Sequence, residues 1–175
     1  KEGISMKEKE KKQYTHIIHP FPPLYDSESE ILILGSFPSV KSREQKFFYG
    51  HKQNRFWKVM AAVLETAVPE TIEEKKKMLY RHHIALWDSI YSCDIIGSSD
   101  SSIKNAVPTD LGQIITGSKI RKIFCNGAAS GICFKKYQEK ELQITADVLP
   151  STSPANAAYS LEKLISIWRK IKEES

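Results

Sequence analysis

Cysteine is scarce in this sequence, with three among 175 residues. Cys93, Cys125 and Cys133 lack the close pairing that is typical of zinc and redox motifs. Three thiols also cannot supply the four ligands of a common iron–sulfur cluster. We therefore expect no metal or other cofactor, and the reducing environment of a cytoplasmic protein.

Long apolar runs are also missing. No stretch approaches the ~18 residues that a membrane-spanning helix needs, and the lysine-rich N-terminus has no apolar core for a secretory signal. Neither a glycine-rich phosphate loop nor a nucleophile elbow is present, which argues against two large classes of hydrolase. The length suits one globular domain. We expect a flexible basic arm over residues 1–18, a single domain over residues 19–175, and a monomer that does not contact a membrane.

The sequence does contain an alternation of short apolar runs and amphipathic segments. Apolar runs predict strands over residues 31–34, 84–87, 120–125 and 144–149. Helical periodicity and capping residues predict helices over residues 55–67, 71–82, 108–115, 128–138 and 156–172. Strands that alternate with helices favour an α/β fold, here a three-layer α/β/α sandwich with a central four-stranded, mainly parallel sheet.

Polar segments follow each predicted strand directly. They are residues 35–39, Asp88, Asn126 and residues 151–156. Open α/β sheets bind ligands just beyond the carboxyl ends of their strands. We therefore expect these four segments, which are far apart in sequence, to converge on one edge of the sheet and to form a pocket.

A basic, aromatic-rich segment lies beside this predicted pocket. Residues 41–58 carry six basic side chains against one acid, Glu44, and Phe47, Phe48 and Tyr49 are interleaved with them. Positive charge next to aromatic rings suits a phosphate backbone beside a stacked base. The alternative is a solvated basic face without a ligand. The six basic residues are Lys41, Arg43, Lys46, Lys52, Arg55 and Lys58.

Three motifs, in this order, resemble those of the uracil-DNA glycosylase superfamily. They are GSFPS at 35–39, FYGHKQNRFW at 48–57 and PSTSPANA at 150–157. The similarity is greatest to the hypoxanthine-DNA (deoxyinosine) glycosylase branch and extends from about His19 to Ile171. It implies a monofunctional DNA repair glycosylase that flips a deaminated base out of DNA and removes it by hydrolysis. Hypoxanthine is the expected base, with uracil and xanthine as alternatives.

Asn54 and Ser151 are the predicted catalytic residues. A carboxamide can donate to the anion that develops on the leaving base and accept from a water, so Asn54 suits both roles. In most superfamily members, an Asn or Asp in the first loop orients the attacking water. The first loop of this chain is residues 35–39, and Ser36-Phe37 occupy the place of that Asn or Asp. Ser151 stands where the uracil-specific branch has a histidine. The alternative role of Asn54 is an N-cap for the helix that follows it.

The remaining candidate residues are assigned to the base and to the DNA backbone. Phe37 is the preferred stacking partner, worth ~1–3 kcal/mol, and Phe47 and Phe48 fit either stacking or the core. Asp88 could accept from hypoxanthine N1–H or cap a loop amide, and Asn126 could bind the base or form a turn. The predicted substrate-binding residues are Gly35, Ser36, Phe37, Phe48, Tyr49, Asp88 and Asn126. The predicted DNA-binding residues are Ser39, Lys41, Arg43, Lys46, Ser153, Pro154, Ala155 and Asn156.

Two other functions stay open on the sequence alone. A non-catalytic module that binds DNA lesions or single strands is favoured by the missing Asn or Asp of the first loop. A hydrolase of free nucleosides would break the same bond but leaves the basic segment unexplained. The serine-rich run over residues 97–102 is predicted to be a flexible loop that could touch phosphates.

Overall fold

The computed structural model describes residues 13–173. Most of the predicted arm, residues 1–12, therefore lies outside the described residues. Strand β1 (Thr15–Ile18) pairs antiparallel with β4 (Ile90–Ile95), so the last residues assigned to that arm belong to the folded domain. None of the helices within the described range has the length and apolar content that crossing a membrane requires.

Four parallel strands form the main sheet, which confirms the predicted fold. Their order is β3-β2-β6-β7, with β2 (Ile31–Gly35), β3 (Ile84–Asp88), β6 (Lys122–Asn126) and β7 (Ala146–Leu149). Residues 31–34 are fully buried because helices flank the sheet. The helices are α1 (Val40–Gln45), α2 (Phe56–Val63), α3 (Ile72–Arg81), α4 (Leu111–Thr116), α5 (Ala128–Tyr137), α6 (Glu139–Leu142), α7 (Leu161–Trp168) and α8 (Lys170–Glu173).

A second, antiparallel sheet was not predicted. It has the order β1-β4-β5, where β5 is Lys104–Pro108. A 3-10 helix, Asp100–Ser102, lies between β4 and β5 within the run that we expected to be a flexible loop. The sequence of β5, KNAVP, has a low strand propensity. The strand therefore depends on its hydrogen-bonded pairing with β4.

Strand register places the polar segments side by side. Gly35 is paired with Asp88, and Asn126 with Leu149, so the carboxyl ends of all four parallel strands meet at one edge. A Cβ atom on Gly35 would lie 2.4 Å from Asp88 Oδ1, which explains why only glycine fits there. The predicted convergence of these segments is confirmed.

The last long helix begins five residues later than predicted, at Leu161. Ser160 caps it by accepting a hydrogen bond from the backbone N–H of Lys163. The residues before it form an irregular loop, and we call residues 150–160 the C-terminal loop. Trp168, which is buried, donates from Nε1 to the carbonyl of Pro150 at 2.9 Å and so ties this loop to α7.

Candidate active site

A cavity of about 380 Å³ opens at the carboxyl edge of the parallel sheet. Its volume lies in the range of roughly 300–1,000 Å³ that is typical of small-molecule sites. Asn54 and Ser151 line the same cavity although 97 positions separate them in the chain. All seven residues predicted to bind the substrate also line it, namely Gly35, Ser36, Phe37, Phe48, Tyr49, Asp88 and Asn126.

The carboxamide of Asn54 is oriented by its neighbours. Its Oδ1 accepts from the backbone N–H of Phe56 at 3.0 Å and from the hydroxyl of Thr152 at 2.9 Å. Since a backbone N–H can only donate, this end of the amide must be the oxygen. The Nδ2 amino group has no hydrogen-bond partner within residues 13–173, and it is the free donor at the cavity wall. The N-cap of α2 is Arg55, so Asn54 is not the N-cap that the sequence offered as an alternative; its oxygen binds the backbone N–H of the first helical residue, and its amino group faces the cavity.

Thr152 connects the segment that carries Asn54 to the C-terminal loop; the sequence offered it only as a contact to phosphates or the base. It is completely buried. Its backbone N–H donates to Asn126 Oδ1 at 3.0 Å, and its hydroxyl accepts from Asn126 Nδ2 at 3.0 Å while donating to Asn54. Asn126 thus clamps the C-terminal loop, a structural task that the sequence did not reveal.

The carboxylate of Asp88 is fixed at the cavity floor by His19, to which sequence analysis gave no role in the site. His19 Nε2 donates to Asp88 Oδ2 at 2.7 Å, and both side chains are buried. The imidazole packs against Trp87 with ring centroids 4.3 Å apart. Asp88 Oδ1 lies over Gly35 and remains an acceptor next to the cavity.

Tyr49 forms part of the same floor. Its ring stacks on Phe56 with centroids 4.0 Å apart, and its backbone φ of 53° lies in the left-handed region. Burial of the hydroxyl, together with the negative charge of Asp88, raises the pKa of Tyr49 far above its ordinary value. The phenol is therefore a proton-bearing hydrogen-bond donor at physiological pH.

A second carboxylate reaches the cavity from the 3-10 helix. Asp100 Oδ1 accepts from the hydroxyl of Ser36 at 2.9 Å. Burial raises the pKa of Asp100, repulsion from Asp88 raises it further, and the hydrogen bond from Ser36 partly offsets both effects. Sequence analysis missed this residue because nothing in the local pattern separates it from an ordinary polar loop.

The aromatic side chains divide between cavity and core. Phe37 and Phe48 line the cavity, although each is also buried to more than nine-tenths. Phe47 does not line it and instead stacks on Trp57, with centroids 6.0 Å apart and planes 14° apart. The expected stacking role is therefore limited to Phe37 and Phe48.

Arg55 stabilises the fold, whereas sequence analysis counted it in the basic segment that is expected to face DNA. Its guanidinium donates from Nη2 to the carbonyls of Ser153 and Asn156, both at 3.0 Å, and from Nη1 to the carbonyl of Tyr159. Asn156 in turn donates from Nδ2 to the carbonyl of Ser151 at 3.0 Å. Arg55 and Asn156 hold the C-terminal loop in shape.

The other predicted DNA-binding residues divide between the lining of the cavity and the helix next to it. Ser39, Ser153, Pro154 and Ala155 line the cavity. Arg43 donates from Nη2 to the carbonyl of Gly97 at 2.6 Å, which engages part of its guanidinium within the protein. The exposed side chains of Lys41 and Lys46 lie on and directly after α1, next to the first loop. Lys41 pairs with Glu44 at 3.3 Å.

Comparison with known proteins agrees with this geometry. Residues 22–172 match the family model described as the uracil DNA glycosylase superfamily. A protein of Methanosarcina acetivorans named hypoxanthine DNA glycosylase is 35% identical over 144 residues, which cover 80% of this chain and 89% of that protein. A protein of the same name from Methanosarcina barkeri is 35% identical over 152 residues, covering 85% and 93%.

A solved structure is similar as well. The solution NMR structure of a uracil DNA glycosylase candidate from Methanosarcina acetivorans superimposes with a TM-score of 0.72 at 30% sequence identity. The match covers 87% of this chain and 96% of that one. The resemblance read from the three motifs is thereby confirmed.

The role assigned to Arg55 predicts a loss of stability on Arg55→Met. The substitution removes a charged donor from three loop carbonyls, of which those of Ser153 and Asn156 keep a backbone N–H donor, so we expect the free energy of unfolding to fall by ~2 kcal/mol in urea denaturation. Lys58→Met is the matched control, since Lys58 is exposed in the same basic segment, and it should change stability by less than about 0.5 kcal/mol. Equal, small effects of both substitutions would contradict the structural role of Arg55.

Proposed function

The chain belongs to the uracil DNA glycosylase superfamily, and from this premise we propose that it is a DNA repair glycosylase that removes hypoxanthine from DNA. One observation supports this most strongly. The free Nδ2 donor of Asn54 and the carboxylate of Asp88 line one cavity of about 380 Å³ at the sheet edge. Two curated relatives that bear the name hypoxanthine DNA glycosylase support the choice of base.

Base flipping is the first step of the proposed mechanism. The target nucleotide leaves the duplex, at an unstacking cost of a few kcal/mol, and its base enters the cavity. Contact with Phe37 and Phe48 offsets part of that cost. Asp88 Oδ1, held by His19 through Oδ2, accepts a hydrogen bond from N1–H of hypoxanthine. Adenine carries no hydrogen at N1, so this acceptor favours hypoxanthine over adenine.

Asn54 acts on the leaving base. When the C1′–N9 bond breaks, its electron pair departs with the base, which becomes an anion. The Nδ2 amino group donates to an acceptor atom of that anion, which stabilises the charge as it develops. Because Oδ1 is already engaged by Phe56 and Thr152, the water-orienting role first considered for Asn54 is set aside. Ser151 lines the same wall and supplies a neutral hydroxyl.

The grip on DNA is assigned to the rim of the cavity. Lys41 and Lys46 offer exposed positive charge to phosphates beside the first loop. Pro154 and Ala155 are exposed at the opposite rim, on the C-terminal loop, and approach the DNA where the base leaves it. Neither side chain is a large apolar wedge, so flipping depends on the pocket more than on insertion into the stack.

The protein is proposed to act as a monomer in a reducing compartment, the cytoplasm. One chain supplies every residue that lines the cavity. Cys93, Cys125 and Cys133 are free thiols, and burial raises the pKa of Cys93 and of Cys125 to about 11. Such thiols are unreactive structural residues.

Excision of damaged bases tests the proposal directly. Purified protein is incubated in excess with duplexes that carry a single inosine, uracil or xanthine, and abasic product is measured after alkaline cleavage. We expect the largest single-turnover rate constant with inosine. Salt-sensitive binding to the inosine duplex without abasic product would contradict the proposal and favour the non-catalytic binding module.

Asn54→Asp separates the two tasks of this side chain. Aspartate keeps the oxygen that Phe56 and Thr152 require but has no amino group to donate to the leaving base. We expect the single-turnover rate constant to fall by roughly 100-fold or more, with a thermal midpoint close to that of the wild type. The control is Gln53→Ala, which removes a neighbouring exposed carboxamide outside the cavity and should leave the rate within about twofold. A near-normal rate for Asn54→Asp would remove Asn54 from the leaving-group role.

Lys41→Ala tests the DNA-facing rim through the salt dependence of binding. Losing one phosphate contact should reduce the slope of log K against log salt concentration by about 0.9. The control is Lys119→Ala. Lys119 forms an ion pair with Glu28 that is as exposed as the pair between Lys41 and Glu44, but it lies near the amino end of β6, away from the cavity. Equal slopes for the two variants would contradict the assignment of the rim.

A further inference from the structure

Hydrolysis of the glycosidic bond needs a group that Asn54 does not supply. Departure of the base leaves positive charge on the deoxyribose, and the attacking water must lose a proton as its oxygen bonds to C1′. Both events call for an acceptor, preferably an anion, beside the sugar. The oxygen of Asn54 is already engaged by two donors. The acceptor must therefore come from elsewhere in the cavity.

Two carboxylates line the cavity, and they are held in different ways. Asp88 is fixed by His19 at the floor, next to Gly35, where the base edge lies in the proposed complex. Asp100 enters from the 3-10 helix and rests against Ser36 of the first loop. Its Oδ2 has no hydrogen-bond partner among residues 13–173 and is free to accept one.

The segment that carries Asp100 is anchored to the first loop and to α1. The backbone N–H of Val40 donates to Ser98 Oγ at 2.9 Å, and Arg43 Nη2 donates to the carbonyl of Gly97 at 2.6 Å. Ser102 Oγ closes the turn by donating to the carbonyl of Ser99 at 2.7 Å and accepting from the backbone N–H of Ile96 at 2.9 Å. These hydrogen bonds hold the serine-rich run, residues 97–102, in place as one wall of the cavity.

We propose that Asp100 is a catalytic residue that activates the attacking water and stabilises the positive charge on the sugar, an inference that rests on the proposed function. In this step the C1′–N9 bond breaks and its electron pair leaves with the base. The water oxygen forms the new bond to C1′ and one water proton passes to the Asp100 carboxylate. The base anion takes a proton from solvent, and Asp100 later returns its own proton to solvent.

The surroundings of Asp100 suit this role. Partial desolvation and the nearby charge of Asp88 raise its pKa, which makes the carboxylate a better proton acceptor than one with an ordinary pKa. The hydrogen bond from Ser36 keeps Oδ1 in place, so Ser36 is a positioning residue. The first loop has no acidic residue at Ser36-Phe37. Instead, Ser36 donates a hydrogen bond to Asp100, which lies 64 positions away in the sequence.

Asp100→Asn is the direct test because it preserves shape and the acceptor for Ser36 while removing the charge and the basicity. With saturating protein and an inosine duplex, we expect the single-turnover rate constant to fall by roughly 100-fold or more. The dissociation constant for the same duplex should stay within about twofold or decrease, since a negative charge is lost next to DNA. Ser36→Ala should give a smaller loss of rate in the same direction.

Glu44→Gln is the matched control. It likewise removes one negative charge, but at an exposed position of the basic segment outside the cavity, and should leave the rate constant within about twofold. If Asp100→Asn retains the wild-type rate, or loses rate only in proportion to weakened DNA binding, the catalytic role of Asp100 is overturned. If the wild-type protein releases no base from any duplex, the proposed function itself fails, so the two failures are distinguishable.

Discussion

The hydrogen bonds of Thr152 are the interaction on which the candidate site depends. Thr152 is completely buried. Its backbone N–H donates to Asn126 Oδ1, and its hydroxyl accepts from Asn126 Nδ2 and donates to Asn54 Oδ1. It thereby joins the end of β6, the start of α2 and the C-terminal loop. Together with the backbone N–H of Phe56, this junction holds the oxygen of Asn54 and leaves the amino group facing the cavity. Arg55 strengthens the same junction through the loop carbonyls.

Charge is distributed over the site according to the needs of the proposed reaction. Positive side chains lie beside the first loop, where phosphates approach in the proposed complex, and two carboxylates line the cavity: Asp88, which is buried at its floor, and Asp100, an exposed residue of its wall. A neutral donor, Asn54, faces the base that leaves as an anion, while a carboxylate faces the sugar that becomes positive. Desolvation at the cavity penalises the charged forms of Tyr49 and Asp100 and raises the pKa of both groups. If the Asn54 donor and the carboxylate were less clearly separated, the base anion and the positive sugar would each be stabilised less well.

Local sequence determined the parts of the fold that could be predicted. The buried run before Gly35 and the apolar runs of β3, β6 and β7 are read directly from residue type, and the carboxyl-edge rule then brings Gly35, Asp88 and Asn126 together. The second sheet was missed because β5 has little strand character of its own and depends on β4. The late start of α7 was missed because the C-terminal loop is shaped by Arg55, a partner about a hundred positions away.

The division of labour within the site could not be predicted for a similar reason. Residue type placed Asn54 in the mechanism, but only its contacts show that one end of the amide is occupied and the other is free. His19, Asp100 and Thr152 each act through a partner distant in sequence, and no spacing or motif signals such a pair. The chemical capability of a single side chain can be predicted from the sequence. A role that depends on a contact between two distant residues becomes visible only in the folded structure.

The central claim is that the everted hypoxanthine occupies the cavity between Asn54 and Asp88. A crystal structure with duplex DNA that contains a 2′-fluoro-deoxyinosine, in which the electron-withdrawing fluorine slows bond cleavage, tests it most directly. The account predicts the base outside the stack, with N1 at hydrogen-bond distance from Asp88 Oδ1 and a ring acceptor facing Asn54 Nδ2. A base that stays paired in the duplex, with the cavity vacant, would contradict it.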